Sequence, residues 1–365
     1  MGLKIEKPLV KEDIRTIVIS DIHANLNAFK KLLAKVQYTK EDVLILLGDI
    51  VEKGEQSLEM LQYVMELRKT HTVYAVCGNC DAIALEVLRD ERNEDLLRYI
   101  LVKRNTLVGD MCRHAGIPIT RDLDMYKAKL VLREKFSEEL DFIANLPHVL
   151  EINNYVFAHA AVKPKQLNEM KPSQVMRADA FMEQGYKFDK YHVVGHWPTV
   201  LYSKQIPDCN PRIDRENKII SIDCANVLKL DGQLNALIIL DTSKEEFSYT
   251  YVDMLRKAKI LNTQEAGEES FIISWLDNKV NVLRKEKEFT YCEHSSTGNK
   301  MWIPNTYLRQ DKQGNWVTED ITNYQIPLTF GDIVSVTEET NRGYLVKKNG
   351  ICGWYYGMLE YVTEV

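Results

Sequence analysis

Residues 16–49 read TIVISDIHANLNAFKKLLAKVQYTKEDVLILLGD, and this stretch decides the fold. Its apolar runs at residues 16–19 and 43–47 have the length and composition of buried strands. Between these runs, apolar residues recur at helical spacing, at Leu26, Phe29, Leu32, Leu33 and Val36. A strand, a helix and a second strand in this order predict a βαβ unit and therefore an α/β fold.

The same alternation continues to about residue 250. Further strands are predicted at residues 72–77, 155–158, 192–194, 219–222 and 236–240. The charge-rich pattern of residues 82–146 is helical, which predicts a helical insertion. A Leu-Asp-Gly turn precedes residues 236–240, so we expect that strand to pair antiparallel with residues 219–222.

The C-terminal part has a different composition. Residues 256–269 are rich in Lys, Asn, Gln, Glu and Gly, which predicts a linker. Residues 270–365 are typical of an all-β region. Two stretches, MWIPNTYL at 301–308 and GWYYGML at 353–359, resemble the closing parts of Src-homology-three-like barrels. We therefore predict a first domain at residues 1–255 and one or two small barrels after the linker.

Composition narrows the class of protein. The 365 residues include 45% hydrophobic residues and carry a net charge of -6, with no long run of either sign. This balance indicates a globular protein and argues against duplex nucleic acid or a membrane as partner. The N-terminal MGLKIEKPLVKED lacks the apolar core of a secretory signal, and the seven cysteines are an odd number. We expect a cytoplasmic protein with free thiols.

Polar residues with metal-binding chemistry follow the predicted strands. They are Asp21 and His23 after the first strand, Asp49 after the second, Asn79 after the third, and His159 and His196 after two later strands. Open α/β sheets place ligands at the carboxyl ends of their strands. A mixed set of nitrogen and oxygen donors suits a transition-metal ion. The series therefore predicts a metal site at this edge of the fold.

In this order the motifs resemble the calcineurin-like metallophosphoesterase superfamily. The pattern is most similar to the phosphoprotein phosphatase branch and its bacterial relatives, which include diadenosine-tetraphosphate hydrolases. The matching stretches are GDIVEKG at 48–54, VFAHAAVKP at 156–164, VGHWP at 194–198, and IDCA at 222–225 followed by GQL at 232–234. The resemblance covers residues 14–242 and implies a two-sheet metallophosphoesterase sandwich flanked by helices.

The resemblance also implies a pair of divalent or transition-metal ions. Carried over residue by residue, the ligands of the first ion would be Asp21, His23 and Asp49, and those of the second Asp49, Asn79, His159 and His196. We expect manganese, with iron or zinc as alternatives. The implied catalytic residues are Asp49, Asn79, Cys80, Asp81 and Arg177, and the implied substrate contacts are Lys53, Arg177 and His114.

Cys80 departs from the family pattern. The family motif G-N-H-D/E has a histidine there that acts as general acid, and here Cys80 precedes Asp81. A thiol has a pKa near 8.5 and no positive charge when protonated, so it is a poor substitute. Without a general acid, the hydrolysis of a monoester with a poorly activated leaving group would be slowed most. Lys53 also replaces the family's arginine and lacks its planar fork. Cys77 and Cys80 have C-x-x-C spacing, but no second such pair could complete a zinc site.

These residues predict an enzyme, a binuclear metal-dependent phosphoesterase that uses metal-bound hydroxide. The first hypothesis is a phosphomonoesterase of the Ser/Thr protein phosphatase type. The alternative, favoured by Cys80, is a nucleotide phosphodiesterase or a diadenosine-tetraphosphate-type pyrophosphohydrolase. The substrate would be a phosphorylated small molecule, a nucleotide or a phosphoprotein. A hypothesis of another class is a peptide-binding adaptor with an inactive phosphoesterase fold. Its tail would bind a peptide partner through aromatic residues such as Trp302, Trp354, Tyr355 and Tyr356.

Overall fold

The computed structural model describes residues 2–91, 94–163 and 167–362. The chain forms two compact units, and each is built from two separate stretches. The first unit consists of Met1–Thr199 and Pro211–Asp253, and the second of Val200–Asn210 and Met254–Val365. None of the helices in the described residues is both long and apolar enough to cross a membrane.

The first unit alternates strands and helices, as the α/β prediction requires. Its strands are β1 (Ile5–Glu6), β2 (Thr16–Ile19), β3 (Val43–Leu46), β4 (Thr72–Ala75), β5 (Val149–Ile152), β6 (Tyr155–Ala158), β7 (Tyr191–Val194), β8 (Arg212–Asp214), β9 (Ile219–Ser221), β10 (Leu234–Ile239) and β11 (Phe247–Val252). Its α-helices are α1 (Leu26–Lys35), α2 (Ser57–Arg68), α3 (Glu94–Val102), α4 (Leu107–His114), α5 (Met125–Lys135), α6 (Ser137–Asn145) and α7 (Pro172–Met176). Short 3-10 helices span Asp81–Leu88, Leu167–Glu169, Phe181–Glu183 and Thr199–Tyr202.

Two mixed sheets form this unit. One has the strand order β11-β10-β2-β3-β4, and the other the order β1-β5-β6-β7-β9-β8. Strands β2, β3 and β4 run parallel, with Thr16 opposite Val43 and Val43 opposite Thr72. Because parallel strands end at the same edge, the loops after β2, β3 and β4 lie side by side. This edge carries the predicted metal ligands.

Alternate side chains of β2 and β3 contribute to two apolar clusters, one on each face of their sheet. Ile17, Ile19, Leu44 and Leu46 belong to the apolar cluster that includes α1, α2 and the helices of residues 94–145. Val18, Ile45 and their neighbours face the other way, into a cluster formed with the second sheet. A central strand buried on both faces reads as a continuous apolar run, which is what TIVI and VLIL are. The predicted α/β sandwich is therefore confirmed.

The predicted pairing of residues 219–222 with 236–240 is wrong. Strand β9 lies in the second sheet, parallel to β7, with Val194 opposite Ser221. Strand β10 lies in the first sheet, antiparallel to β2, with Ala236 opposite Ile19. The segment between them therefore crosses from one sheet to the other, and the Leu-Asp-Gly turn closes no hairpin.

The second unit consists of small sheets. Its strands are β12 (Arg256–Ile260), β13 (Ile272–Ile273), β14 (Val280–Lys285), β15 (Phe289–His294), β16 (Lys300–Pro304), β17 (Leu308–Gln310), β18 (Trp316–Thr318), β19 (Ile321–Thr322), β20 (Ile333–Thr340), β21 (Gly343–Lys348), β22 (Ile351–Tyr355) and β23 (Leu359–Tyr361), with a 3-10 helix at Asn305–Tyr307. The largest sheet has the order β22-β21-β20-β12-β23. Trp354 and Tyr355, proposed above as peptide contacts, are buried with exposures of 5% and 0%. The barrel resemblance stays a prediction.

Two boundaries differ from the sequence-based division. Residues 256–260, predicted as linker, form β12, which pairs with β20 and β23. Residues 200–210, predicted within the first domain, pack in the second unit. There, Cys209 N donates to Gly350 O at 2.9 Å, and Cys352 N donates to Pro207 O at 3.0 Å.

Candidate metal centre

The loops after β2 and β3 are held together by backbone hydrogen bonds. Asp21 N donates to Gly48 O at 3.2 Å, and His23 N donates to Asp49 O at 2.9 Å. Asp21, His23 and Asp49 all have positive φ angles, of 51°, 50° and 50°. Such angles are costly for residues with side chains and occur where function fixes the side-chain direction. The chain is therefore bent so that these three side chains converge.

Two glycines permit the close approach of the neighbouring loops. A Cβ at Gly78 would lie 2.1 Å from Asp49 N. A Cβ at Gly195 would lie 1.8 Å from Ser20 Oγ and 2.3 Å from Asp21 Oδ2. No side chain fits at these distances, so glycine is required at both positions.

The structure brings the predicted ligands into two overlapping groups. Donor atoms of Asp21, Asp49 and His159 lie within 4.8 Å of one another, and so do those of His23, Asp49 and Cys80. The carboxylate of Asp49 belongs to both groups, as a bridging ligand would. The groups otherwise differ from the predicted ligand sets, because Asp21 is grouped with His159 and His23 with Cys80. Asp21, Asp49 and His23 are 1 to 2% exposed. A cluster of buried carboxylates and imidazoles requires compensating charge, which a metal ion supplies.

The electrostatics of the cluster favour a bound cation. Burial lowers the pKa of His23 to about 3, so its ring is neutral, as a ligand must be. Burial lowers the pKa of His196 in the same way, to about 4. Burial opposes charge on Asp49, but the neighbouring His159 and His23 lower its pKa overall. The carboxylates of Asp49 and Asp21 in turn outweigh burial and raise the pKa of His159, so the site attracts positive charge.

Asn79 lies beside two of the predicted ligands of the second metal ion. Its side-chain oxygen lies 2.9 Å from His196 Nδ1, 3.2 Å from His159 Nε2 and 3.1 Å from Met176 O. His159 Nδ1 donates to Leu47 O at 2.7 Å, so Nε2 is the ring nitrogen that faces Asn79 Oδ1, at 3.2 Å. Rotating the amide would satisfy these atoms without a cation. Asn79, His159 and His196 thus bring oxygen and nitrogen donors together, and this set of donors fits a metal ion.

Lys53 also marks a cation position. Its Nζ lies 3.2 Å from His23 Nε2, and His23 Nε2 lies 3.7 Å from Asp21 Oδ1 and 3.8 Å from Asp49 Oδ2. Burial opposes the ammonium charge, but Cys80, Asp49 and Asp21 raise the pKa of Lys53. An ammonium group beside these donors occupies a place suited to positive charge.

Comparison with known proteins agrees with this geometry. The calcineurin-like phosphoesterase family matches residues 14–200. This chain belongs to that family. It is therefore a hydrolase acting on phosphoester bonds, and its family implies divalent metal ions.

Three curated relatives are symmetrical bis(5'-nucleosyl)-tetraphosphatases. The chain is 30% identical over 140 residues to that of Marinomonas sp. (strain MWYL1), covering 33% of this chain and 50% of the relative. It is 40% identical over 119 residues to that of Pectobacterium atrosepticum, covering 31% and 42%. For that of Hamiltonella defensa the identity is 38% over 88 residues, covering 23% and 31%. The chain thus spans a third to a half of the length of these relatives.

Two solved structures align with about two thirds of this chain. A metallophosphoesterase from Sphaerobacter thermophilus has a TM-score of 0.38 and 17% identity, covering 66% of this chain and 88% of that one. A protein serine/threonine phosphatase from Saccharomyces cerevisiae has a TM-score of 0.43 and 12% identity, covering 69% and 84%.

In this phosphoesterase, the Asp81 carboxylate accepts hydrogen bonds from three backbone N–H groups. Its Oδ1 accepts from Ile50 N at 2.9 Å and Val51 N at 3.2 Å, and its Oδ2 accepts from Gly78 N at 2.9 Å. Burial, with Asp49 nearby, raises its pKa to about 7. Asp81 therefore ties the loop after β3 to the loop after β4.

The structure does not join Arg177 and His114 to the metal ligands by any described hydrogen bond. Arg177 follows α7 and is exposed, and its charge helps to lower the pKa of His196. His114 lies at the end of α4, with Nδ1 3.0 Å from Asp110 O. Arg177 therefore remains a candidate for phosphate binding, whereas nothing described links His114 to the cluster.

Sequence reasoning missed Asp223 and Glu52. Asp223 is 2% exposed, and burial together with Asp21 raises its pKa well above the usual range. Its position after β9, in the quoted IDCA stretch, was the available signal. Glu52 Oε1 accepts from Leu107 N at 2.8 Å, and Oε2 accepts from Tyr99 OH at 2.8 Å. Glu52 thus connects the loop after β3 to the helical insertion.

Proposed function

We propose that this phosphoesterase hydrolyses a phosphoanhydride bond of a nucleotide, with dinucleoside polyphosphates as the substrate class. The observation that carries this proposal is Cys80, a buried thiol where the family motif has a general acid. The names of the curated relatives support the same substrate class.

The metal ligands would hold two divalent cations, through Asp21, His23, Asp49, Asn79, His159 and His196. When bound, such a pair neutralises phosphate charge and promotes attack by water. The chain's own contribution is the fixed, buried donor set described above. Lys53 adds a positive charge beside His23, and the exposed guanidinium of Arg177 can form paired hydrogen bonds to phosphate oxygens.

The leaving group distinguishes the candidate reactions. Cleaving a phosphoserine ester releases an alkoxide, which needs a proton in the transition state. Cleaving a phosphoanhydride releases a phosphate group that is stable as an anion. Burial and then the charge of Asp49 raise the pKa of the Cys80 thiol, so it neither carries positive charge nor gives up its proton readily. The site therefore favours the anhydride reaction.

Cys80 and the names of the relatives support the nucleotide alternative, whereas the Ser/Thr phosphatase-type monoesterase has no specific support beyond family membership. Manganese remains the expected metal, with iron and zinc as alternatives. The adaptor hypothesis differs from both because it requires no hydrolysis. No observation in the described part of the second unit supports a peptide partner.

The test is a comparison of kcat/KM for diadenosine tetraphosphate, p-nitrophenyl phosphate and a phosphoserine peptide, with manganese added. We expect diadenosine tetraphosphate to exceed the peptide by at least about 100-fold, the lower range of a general-acid contribution. Asp49→Asn, which alters the ligand shared by both groups, is the control and should abolish all three activities. Equal or faster turnover of the phosphoserine peptide would refute the proposal. Metal binding without hydrolysis of any substrate would support the adaptor instead.

A further inference from the structure

Cys80 lies beside the metal ligands, although its replacement of histidine removes the expected acid. Its Sγ is within 4.8 Å of donor atoms of both His23 and Asp49. The three residues are 4%, 1% and 1% exposed. A sulfur, a nitrogen and an oxygen donor thus converge in a buried space on the His23 side of Asp49.

The backbone fixes this position of the sulfur. Cys80 N donates to Asp49 Oδ1 at 2.8 Å, and Cys80 immediately precedes the 3-10 helix that begins at Asp81. The Cys80 side chain is short, so Sγ remains next to the Asp49 carboxylate. An imidazole at this position would extend further from the backbone.

Two carboxylates border the same space. Asp49 accepts a hydrogen bond from Cys80 N through Oδ1 and also interacts with the Cys80 side chain, and its Oδ2 lies 3.8 Å from His23 Nε2. Asp21 Oδ2 accepts from Ser20 Oγ and His196 N, and Oδ1 lies 3.7 Å from His23 Nε2. Two buried carboxylates therefore direct an oxygen toward the imidazole that neighbours Cys80.

We propose that Cys80 is a ligand of the metal ion held by His23 and Asp49. This inference goes beyond the proposed reaction, because it concerns which metal the first position selects. On binding, the thiol releases its proton to solvent and a sulfur–metal bond forms. A nearby cation reverses the preference of a buried thiol for its neutral form.

The sulfur, nitrogen and oxygen donors of Cys80, His23 and Asp49 make a mixed set that suits zinc or ferrous iron better than manganese. The second position, with Asn79, His159, His196 and Asp49, has no sulfur among its predicted ligands. The two positions would therefore prefer different metals. Cys77 is the natural comparison, because it is equally buried but donates to Gly78 O at 3.5 Å and belongs to the apolar cluster beneath the sheet.

The test uses cobalt, because a thiolate bound to cobalt(II) gives a near-ultraviolet charge-transfer band that nitrogen and oxygen ligands lack. The full-length protein is stripped with a chelator, reloaded with cobalt and analysed for bound metal. The band should appear in the wild-type protein and in Cys77→Ser, and should be lost in Cys80→Ser. Competition between cadmium and manganese should also show at least about a tenfold loss of cadmium preference in Cys80→Ser.

The outcomes separate this proposal from the reaction proposed above. Bound cobalt without the band, or a band that persists in folded Cys80→Ser, would overturn the ligand assignment and leave the hydrolysis proposal standing. A wild-type protein that binds no cobalt would overturn both. If Cys80→Ser does not fold, the cadmium NMR shift of the wild-type protein decides, because a sulfur ligand deshields cadmium and an all nitrogen and oxygen set does not.

Discussion

Replacing Glu52 by glutamine should stabilise the first unit at alkaline pH. Glu52 is 0% exposed, and burial raises its pKa from 4.5 to about 7, against the opposing hydrogen bonds from Leu107 N and Tyr99 OH. A glutamine keeps an acceptor for Leu107 N, and its amide can donate to Tyr99 OH after rotation of that hydroxyl. The substitution therefore removes the charge while preserving the shape.

The sign follows from proton binding. The folded chain binds the Glu52 proton more tightly than the unfolded chain, so this stabilisation is complete below pH 4.5 and is lost as pH rises through about 7. At about 1.4 kcal/mol per pKa unit, the ionised carboxylate costs about 3 kcal/mol above that range. The variant should match the wild type near pH 4.5 and exceed it by up to about 3 kcal/mol near pH 8.5.

Urea unfolding of chelated protein at several pH values measures this difference. Helical circular dichroism reports the first unit, because the α-helices in the described residues all lie there. Glu41→Gln, which changes an exposed loop carboxylate, is the control and should give no pH-dependent gain. A stability difference for Glu52→Gln that stays constant across pH would refute the reasoning, and so would one that shrinks toward alkaline pH.

Two further substitutions test the metal centre. Gly195→Ala places a Cβ 1.8 Å from Ser20 Oγ, so it should displace Asp21 and reduce the amount of bound metal. It should also lower the free energy of unfolding by about 1–3 kcal/mol, measured in urea. Unchanged metal content would contradict this. Cys80→His should restore a proton donor and raise the turnover of the phosphoserine peptide by about 100-fold, the lower end of the range for general acids. We expect the lower end because Asp81, which would hold the new histidine, already accepts three backbone hydrogen bonds. Turnover of diadenosine tetraphosphate should change much less, and an equal rise for both substrates would show that leaving-group protonation is not the difference.

The sequence was most informative about the central strands β2 and β3 and about the polar residues that follow them. TIVI and VLIL predict buried neighbouring strands because they are apolar on both faces. Once those strands are adjacent, Asp21 and Asp49 must meet at one edge. The positions of His159 and Cys80 relative to Asp49 could only be anticipated through the family resemblance, because they depend on pairing between distant segments.

Other features depend on contacts that composition does not encode. Strands β9 and β10 are both short and apolar, so their sequences do not specify which sheet each joins. In β12, the alternation of Lys257, Ala258, Lys259 and Ile260 was a strand signal, but the charged composition favoured a linker. Glu52 has an ordinary polar sequence context, and its burial follows from the position of the helical insertion above its loop.

The placement of residues 200–210 has a consequence for biosynthesis. During synthesis from the N-terminus, Pro207 and Cys209 emerge more than a hundred residues before their backbone partners Cys352 and Gly350. These hydrogen bonds therefore form only after residue 352 has left the ribosome. A gene shortened at residue 255 would encode a chain in which this segment never acquires those partners. The apparent boundary after the last strand of the first unit is thus unsuited to dissecting the protein.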